Sequence, residues 1–210
     1  MDGIRKRWAE LELVAFDLEG TGAQDREDEA ILELAAVPIH ASQPLMQAAY
    51  CTLINPDRPV PRRPWVSPGL TDDALRGAPM LHEVEPHISS KLNGRYMVGH
   101  NVLVDWRLLH LRFPGMEPAG LIDTMKLLRH HGADRRGLSS ALQRFDLTDR
   151  VTQAAPGSQP HRALWDATGA ALLLRHLAET SALSADDLLS IAGIPANGAA
   201  EQVSAQGTLF

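Results

Sequence analysis

Leu11-Glu12-Leu13-Val14-Ala15-Phe16-Asp17-Leu18-Glu19-Gly20-Thr21-Gly22 is an apolar, strand-forming run that closes on two acids and a glycine-rich turn. Residues i and i+2 of a strand share a face, so Asp17 and Glu19 can point into one site. Two carboxylates at the end of an apolar strand repel each other and lose hydration, an arrangement that a cation between them relieves. Taken alone, Asp-x-Glu fits a solvated turn as well as a metal site. The glycines do not make a dinucleotide loop, because Asp25 occupies the third glycine position.

Downstream of this run, a charged turn (Asp25 to Glu29) leads to a second apolar stretch, Ile31 to Ile39. Its first half suits a helix, but Pro38 would damage a helix interior, so a strand is predicted. Ala48 to Ile54 is a third strand, closed by Asn55-Pro56. Three successive strands with short connections imply an antiparallel meander. A Pro/Arg-rich loop follows from Pro56 to Pro68. Its Arg58, Arg62, Arg63 and Trp65 fit a plain solvated loop, or contacts to a phosphate backbone and a base.

The rest alternates helices with short strands. Thr71 caps a short helix, Leu81 to Leu92 is amphipathic, and Tyr96 to Gly99 is a short buried strand. Val102 to Arg112 is helical, Leu121 to Asp123 a strand, and Thr124 to His130 and Leu138 to Arg144 are helices, with His130-His131 at a helix C-terminus. Gln153 to Pro160 is a loop by composition. Ala163 to Ala178 is an Ala- and Leu-rich helix interrupted only by Gly169, and Ser184 with Asp187 marks another helix start. The predicted fold class is α/β, a mixed sheet flanked by helices: the antiparallel three-strand meander plus short parallel strands.

Two further groups of polar residues lie at such junctions. His100-Asn101 ends the strand Tyr96 to Gly99, and Asp105 lies four residues beyond Asn101. A helix starting near Asn101 turns Asp105 inward one turn along; an exposed Asp105 beside Trp106 and Arg107 is the other reading. Then comes His161-Arg162-Ala163-Leu164-Trp165-Asp166. Five helical residues separate side chains by about 140°, which places His161 on the loop ahead of the helix, reaching back over Asp166. A mobile histidine beside a metal-binding acid suits a base that activates water.

The three groups occur together, in order. Jointly they resemble the DEDDh (DnaQ-like) 3′–5′ exonucleases, the family of the bacterial DNA polymerase III epsilon proofreading subunit, ribonuclease T and oligoribonuclease. The resemblance spans roughly Leu11 to Leu177. It includes Glu29 to Val37, Val98-Gly99-His100-Asn101 and Ile122-Asp123-Thr124. It implies a ribonuclease H-like fold and a two-metal hydrolase releasing nucleoside 5′-monophosphates from 3′ ends. Asp17 would bridge both ions, Glu19, Asp105 and Asp166 would complete their shells, and His161 would be the general base. Gly20, Thr21, His100 and Asn101 are candidates around the substrate end. Two departures, Gly20 in place of threonine and Val104 in place of phenylalanine, leave the substrate preference open. Carboxylates without thiolate ligands select hard cations, Mg²⁺ or Mn²⁺, as two ions.

The chain has 210 residues, a formal charge of −6 and 44% hydrophobic composition. That balance argues against a coat of basic residues around nucleic acid, but permits an enzyme gripping one strand end. Cys51 is the single cysteine, which excludes an intramolecular disulfide and a thiolate zinc cluster. The N-terminus, Met1 to Glu10, has charges but no apolar run behind them long enough for a signal peptide, and no stretch approaches the ~20 apolar residues of a membrane span, so a soluble, cytoplasmic protein is expected. Residues 8–180 are predicted as the exonuclease domain, 181–194 as a C-terminal helical extension and 195–210 as a flexible tail. The tail ends in Gln206-Gly207-Thr208-Leu209-Phe210. Gln206, Leu209 and Phe210 are similar to the peptide by which bacterial polymerases and repair enzymes bind the sliding clamp. A chance match of five residues is the competing reading. The functional expectation is a 3′–5′ exonuclease on single-stranded DNA, in proofreading or repair. The alternatives are an RNA-trimming exoribonuclease of the same family, or a non-catalytic replisome-docking module.

Overall fold

The structure, a computed structural model, describes residues 6–133 and 137–196. Seven strands form one sheet: β1 (Leu13–Gly20), β2 (Ile31–His40), β3 (Gln43–Pro44), β4 (Tyr50–Leu53), β5 (Tyr96–Gly99), β6 (Gly120–Asp123) and β7 (Gly193–Ile194). Their order is β3-β2-β1-β5-β6-β7, with β4 also paired to β2. The helices are α1 (Asp72–Leu75), α2 (Leu81–Leu92), α3 (Val102–Arg112), α4 (Thr124–His130), α5 (Leu138–Arg144), α6 (Thr148–Ala154), α7 (Ala163–Thr180) and α8 (Ala185–Ala192).

The meander is present: β2 runs antiparallel to both β1 and β4. β5 then joins β1 in parallel, and β6 joins β5 in parallel. This is the mixed α/β sheet expected from the sequence. Alternation along β1 divides the core. Leu13 and Ala15 join Val37, Val98 and the α7 residues Leu173 and Leu177 on one face. Val14 and Phe16 join Val84 and Ile88 of α2 and Val102, Trp106 and Leu109 of α3 on the other. β2 is apolar on both faces except at Glu33 and the terminal His40, since helices cover both sides.

Differences from the sequence reading lie at element ends and in three short elements it did not name, α6, β3 and β7. β1 continues to Gly20 because its ladder with β2 persists, with an irregularity between Glu19 and Gly20. Residues 153 and 154 belong to α6 rather than to the loop that follows. The segment 181–194 returns to the sheet: after α8, capped by Ser184 and Asp187 as expected, β7 pairs antiparallel with β6. Gln206, Leu209 and Phe210 lie outside the described residues. No helix among the described residues is long and apolar enough to cross a membrane.

Candidate active site

β1 pairs with β5 only from Leu13 to Ala15. Beyond Ala15 its last five residues keep β2 as their ladder partner, while β5 ends at Gly99 and the chain turns sharply into α3. A Cβ on Gly99 would lie 2.8 Å from Val102 Cγ2, so only glycine allows this tight turn. A crevice beyond the carboxyl ends of parallel strands is where α/β sheets collect functional groups.

Asp17 and Glu19 project here from β1. Carboxylate oxygens of Asp17, Glu19 and Asp166 all lie within 4.8 Å of one another. Asp166 is the fourth residue of α7, one turn in. Asp105, the fourth residue of α3, is buried rather than exposed, and the backbone N–H of Leu18 donates to its carboxylate. Two helices from opposite faces of the sheet thus each deliver an acid, one turn from their N-termini, to the end of β1.

Burial and mutual repulsion dominate the electrostatics. Asp17 is held well above the ordinary aspartate range, first by burial, then by the charges of Asp105, Asp166 and Glu19. Asp105 is raised by burial, against the pull of the Leu18 amide. Burial pushes Glu19 up to about 7, opposed by a hydrogen bond from the Ser67 hydroxyl. Burial raises Asp166 to about 6, against the nearby charge of His161. Such a set sheds its protons once cations neutralise it, and its all-oxygen donors suit hard divalent ions. The residues present therefore fit a divalent metal centre.

His161 precedes α7 by two residues and is exposed, with φ 64°. Its backbone N–H donates to Asp166 Oδ2 at 3.2 Å. The four residues expected near the substrate end divide into two kinds. Gly20 turns its missing side chain toward Leu108, whose Cδ2 would lie 2.7 Å from an added Cβ. Thr21 is fully buried; its Oγ1 accepts from Ala30 N–H at 3.0 Å and holds the turn. His100 and Asn101 lie at the mouth, at the carboxyl end of β5. The Thr124 hydroxyl donates to the Gly99 carbonyl, so His100 Nδ1 donates to Thr124 Oγ1 at 2.9 Å. The Asn101 N–H donates to Asp123 Oδ1, which also caps α4 through Met125 N–H.

Three contributors were not singled out by the sequence reading. Ser67, at the end of the Pro/Arg-rich loop, donates to Glu19 Oε2. The same loop is docked rather than loosely solvated: Arg58 and Arg63 pair with Asp25, and Trp65 Nε1 donates to the Thr21 carbonyl. Glu33, register partner of Glu19, binds Arg162. Asp123 fixes the Asn101 turn. Glu33 and Asp123 carried a readable signal, a charge within or ending an apolar strand; Ser67 carried none.

The family model described as Exonuclease (RNase_T) matches residues 14–174. The chain belongs to this exonuclease family. Among relatives, exodeoxyribonuclease 10 of Escherichia coli strain K12 is 29% identical over 180 residues, covering 86% of this chain and 74% of that one. The PolC-type DNA polymerase III of Bacillus cereus is 28% identical over 172 residues, covering 79% of this chain and 11% of that one. The structure of exonuclease X in complex with 5′ overhanging duplex DNA superposes with TM-score 0.66 and 27% identity, over 85% of this chain and 98% of that one. The nuclease domain of 3′hExo, a DEDDh family member bound to rAMP, shares the fold with TM-score 0.57 at 12% identity, over 80% and 92% of the two chains. The protein is thus an exonuclease with a ribonuclease H-like sheet, and family and acidic cluster together imply dependence on a divalent metal.

Proposed function

We propose that this chain is a Mg²⁺- or Mn²⁺-dependent 3′–5′ exonuclease that releases nucleoside 5′-monophosphates from single-stranded or overhanging DNA ends, in repair or proofreading. The observation that carries it is the meeting of Asp17, Glu19 and Asp166 within 4.8 Å at the open end of β1, with His161 beside them. DNA is favoured over RNA because the relative matched over most of its own length is named an exodeoxyribonuclease, and because exonuclease X was captured on duplex DNA.

In this reading Asp17, Glu19, Asp105 and Asp166 would hold two divalent ions. Bound there, the ions supply Lewis acidity that spreads the charge of the scissile phosphate and eases deprotonation of water. His161 takes the proton of the attacking water. The new bond forms at phosphorus, and the bond to the 3′ oxygen of the preceding nucleotide breaks, leaving a 3′ hydroxyl and a free 5′-monophosphate. The exposed position of His161 ahead of α7 lets it pass that proton to solvent between turnovers. His100 and Asn101 border the end of the strand, while Gly20 and Thr21 shape the floor from beneath.

The acidic cluster argues against a purely docking role, since four repelling carboxylates serve no binding surface. The tail peptide Gln206 to Phe210 would bring the enzyme to a sliding clamp, with 8–180 as the nuclease unit, 181–194 completing its sheet and a cytoplasmic setting. The test is release of mononucleotides from matched DNA and RNA oligonucleotides, labelled at the 3′ or the 5′ end, with Mg²⁺, Mn²⁺ or EDTA. Metal-dependent loss of 3′ label first, faster on DNA, is expected. Faster loss from RNA would reassign the chain to RNA trimming, and 5′-first release would end the proposal.

A further inference from the structure

Glu33 is the one charge in the middle of β2, and it is buried. A carboxylate in such a place requires partners. Three of its contacts come from two consecutive residues: Arg162 Nε donates to Oε2 at 2.7 Å, Arg162 Nη2 to Oε1 at 2.8 Å, and Ala163 N–H to Oε2 at 3.3 Å; a fourth, the Cys51 thiol, lies 4.0 Å from Oε1. The first two form a two-pronged contact that a guanidinium makes and an ammonium does not. The third occupies a free N–H at the start of an 18-residue helix. Arg162 is the N-cap residue of α7, yet its side chain caps nothing in its own helix. Strand β2 supplies the cap instead.

Both neighbours of this latch belong to the site. His161 precedes Arg162 and sits at φ 64°, a conformation costly for a non-glycine residue. The Asp166 N–H donates to the Arg162 carbonyl at 3.0 Å, and the Asp166 side chain accepts from the His161 N–H. Across the ladder from Glu33 stands Glu19. One strand therefore references the start of α7 to the same backbone that sets Asp17 and Glu19.

We propose that Glu33 and Arg162 are a positioning pair that holds His161 and Asp166 in register with the β1 acids. This rests on the reading of the chain as a metal-dependent exonuclease with His161 as base. The pair touches no reacting atom; it acts through the backbone on either side of Arg162. Charge neutralisation alone would be satisfied by lysine, whereas positioning needs the planar fork.

The test uses the full chain with Mn²⁺ and a 3′-labelled DNA oligonucleotide, comparing Arg162→Ala, Arg162→Lys, Glu33→Gln and the Arg162→Ala/Glu33→Gln double variant. Arg162→Ala is expected to lower kcat about 10- to 100-fold, as loss of a residue that orients a metal ligand or base does, with KM changed less than about threefold. Arg162→Lys should not recover the loss, added guanidinium ion should recover part of it in Arg162→Ala, and the double variant should be no worse than the poorer single. Amide hydrogen exchange should accelerate in residues 158–166 and not in β1. Wild-type kcat in Arg162→Ala, full recovery with lysine, or exchange loosened equally across β1 would each overturn the proposal. A wild-type chain with no metal-dependent release fails the functional reading itself, and that is seen before any variant is compared.

Discussion

Replacing Glu19 by glutamine should make the metal-free protein more stable while destroying its activity. Burial raises this carboxyl from its ordinary 4.5 to about 7. At about 1.4 kcal/mol for each tenfold change in proton affinity, that is about 3 kcal/mol. The sign follows from linkage. The folded state binds the proton more tightly than the unfolded chain, so the contribution of Glu19 to stability falls as pH rises from 4.5 to 7 and is constant above. Glutamine imitates the protonated acid. It keeps an oxygen that accepts from Ser67, and the stronger bond that only the ionised acid makes is already contained in the rise to about 7. A gain of about 3 kcal/mol is expected at pH 8 in EDTA, shrinking toward zero as pH falls through 7 to 4.5. With a urea m-value of about 2 kcal/mol/M, the midpoint should rise by about 1.5 M at pH 8, followed by tryptophan fluorescence. Saturating Mn²⁺ should reverse the order, because binding to the folded state stabilises only a chain that still holds the ion. A variant no more stable than wild type in EDTA at pH 8, or a difference that does not change with pH, refutes the reasoning.

Two other predictions rest on the same geometry and one on the sequence of the tail. His161→Ala should reduce kcat by about 10²- to 10⁴-fold with an unchanged unfolding midpoint, since the side chain is exposed; a wild-type rate near neutral pH removes His161 as base. Ser67→Ala should weaken Mn²⁺ binding about tenfold by releasing Glu19, measured by calorimetry; unaltered affinity means the hydroxyl only shields the carboxylate. A chain ending before Gln206 should keep full activity on short oligonucleotides but lose retention on immobilised sliding clamp, and equal retention of both forms ends the clamp reading.

Much of this site could be read from sequence because its residues sit at element boundaries, where chemistry and local pattern coincide. Asp17 and Glu19 close an apolar run, Asp105 and Asp166 each lie one turn into a helix, and His161 follows a loop rich in Pro, Gly and Gln. Short-range rules suffice for each. The helix α6 was missed, as were two elements made by distant partners: β3 and β7 are two-residue strands that exist only because β2 and β6 offer an edge. Ser67 could not have been found, because 48 residues separate it from Glu19 and nothing in its neighbours marks it.

Thr21 shows how far orientation depends on the ladder. The family resemblance makes it a candidate at the substrate end, and in the structure its side chain is buried. Past the irregularity at Glu19/Gly20 the chain turns, and Thr21 bonds backward to Ala30 while Glu19 faces the crevice. Two residues on, alternation had already been interrupted by that turn. Glu33 completes the lesson in the other direction. Its only local signal was a charge in an apolar strand, and its partner Arg162 lies 129 residues away. Yet that one contact ties the helix bearing Asp166 to the ladder bearing Asp17. The acids can be read singly from the chain, but the distances between them are set by pairings of that length, so the metal centre is a property of the sheet rather than of any one motif.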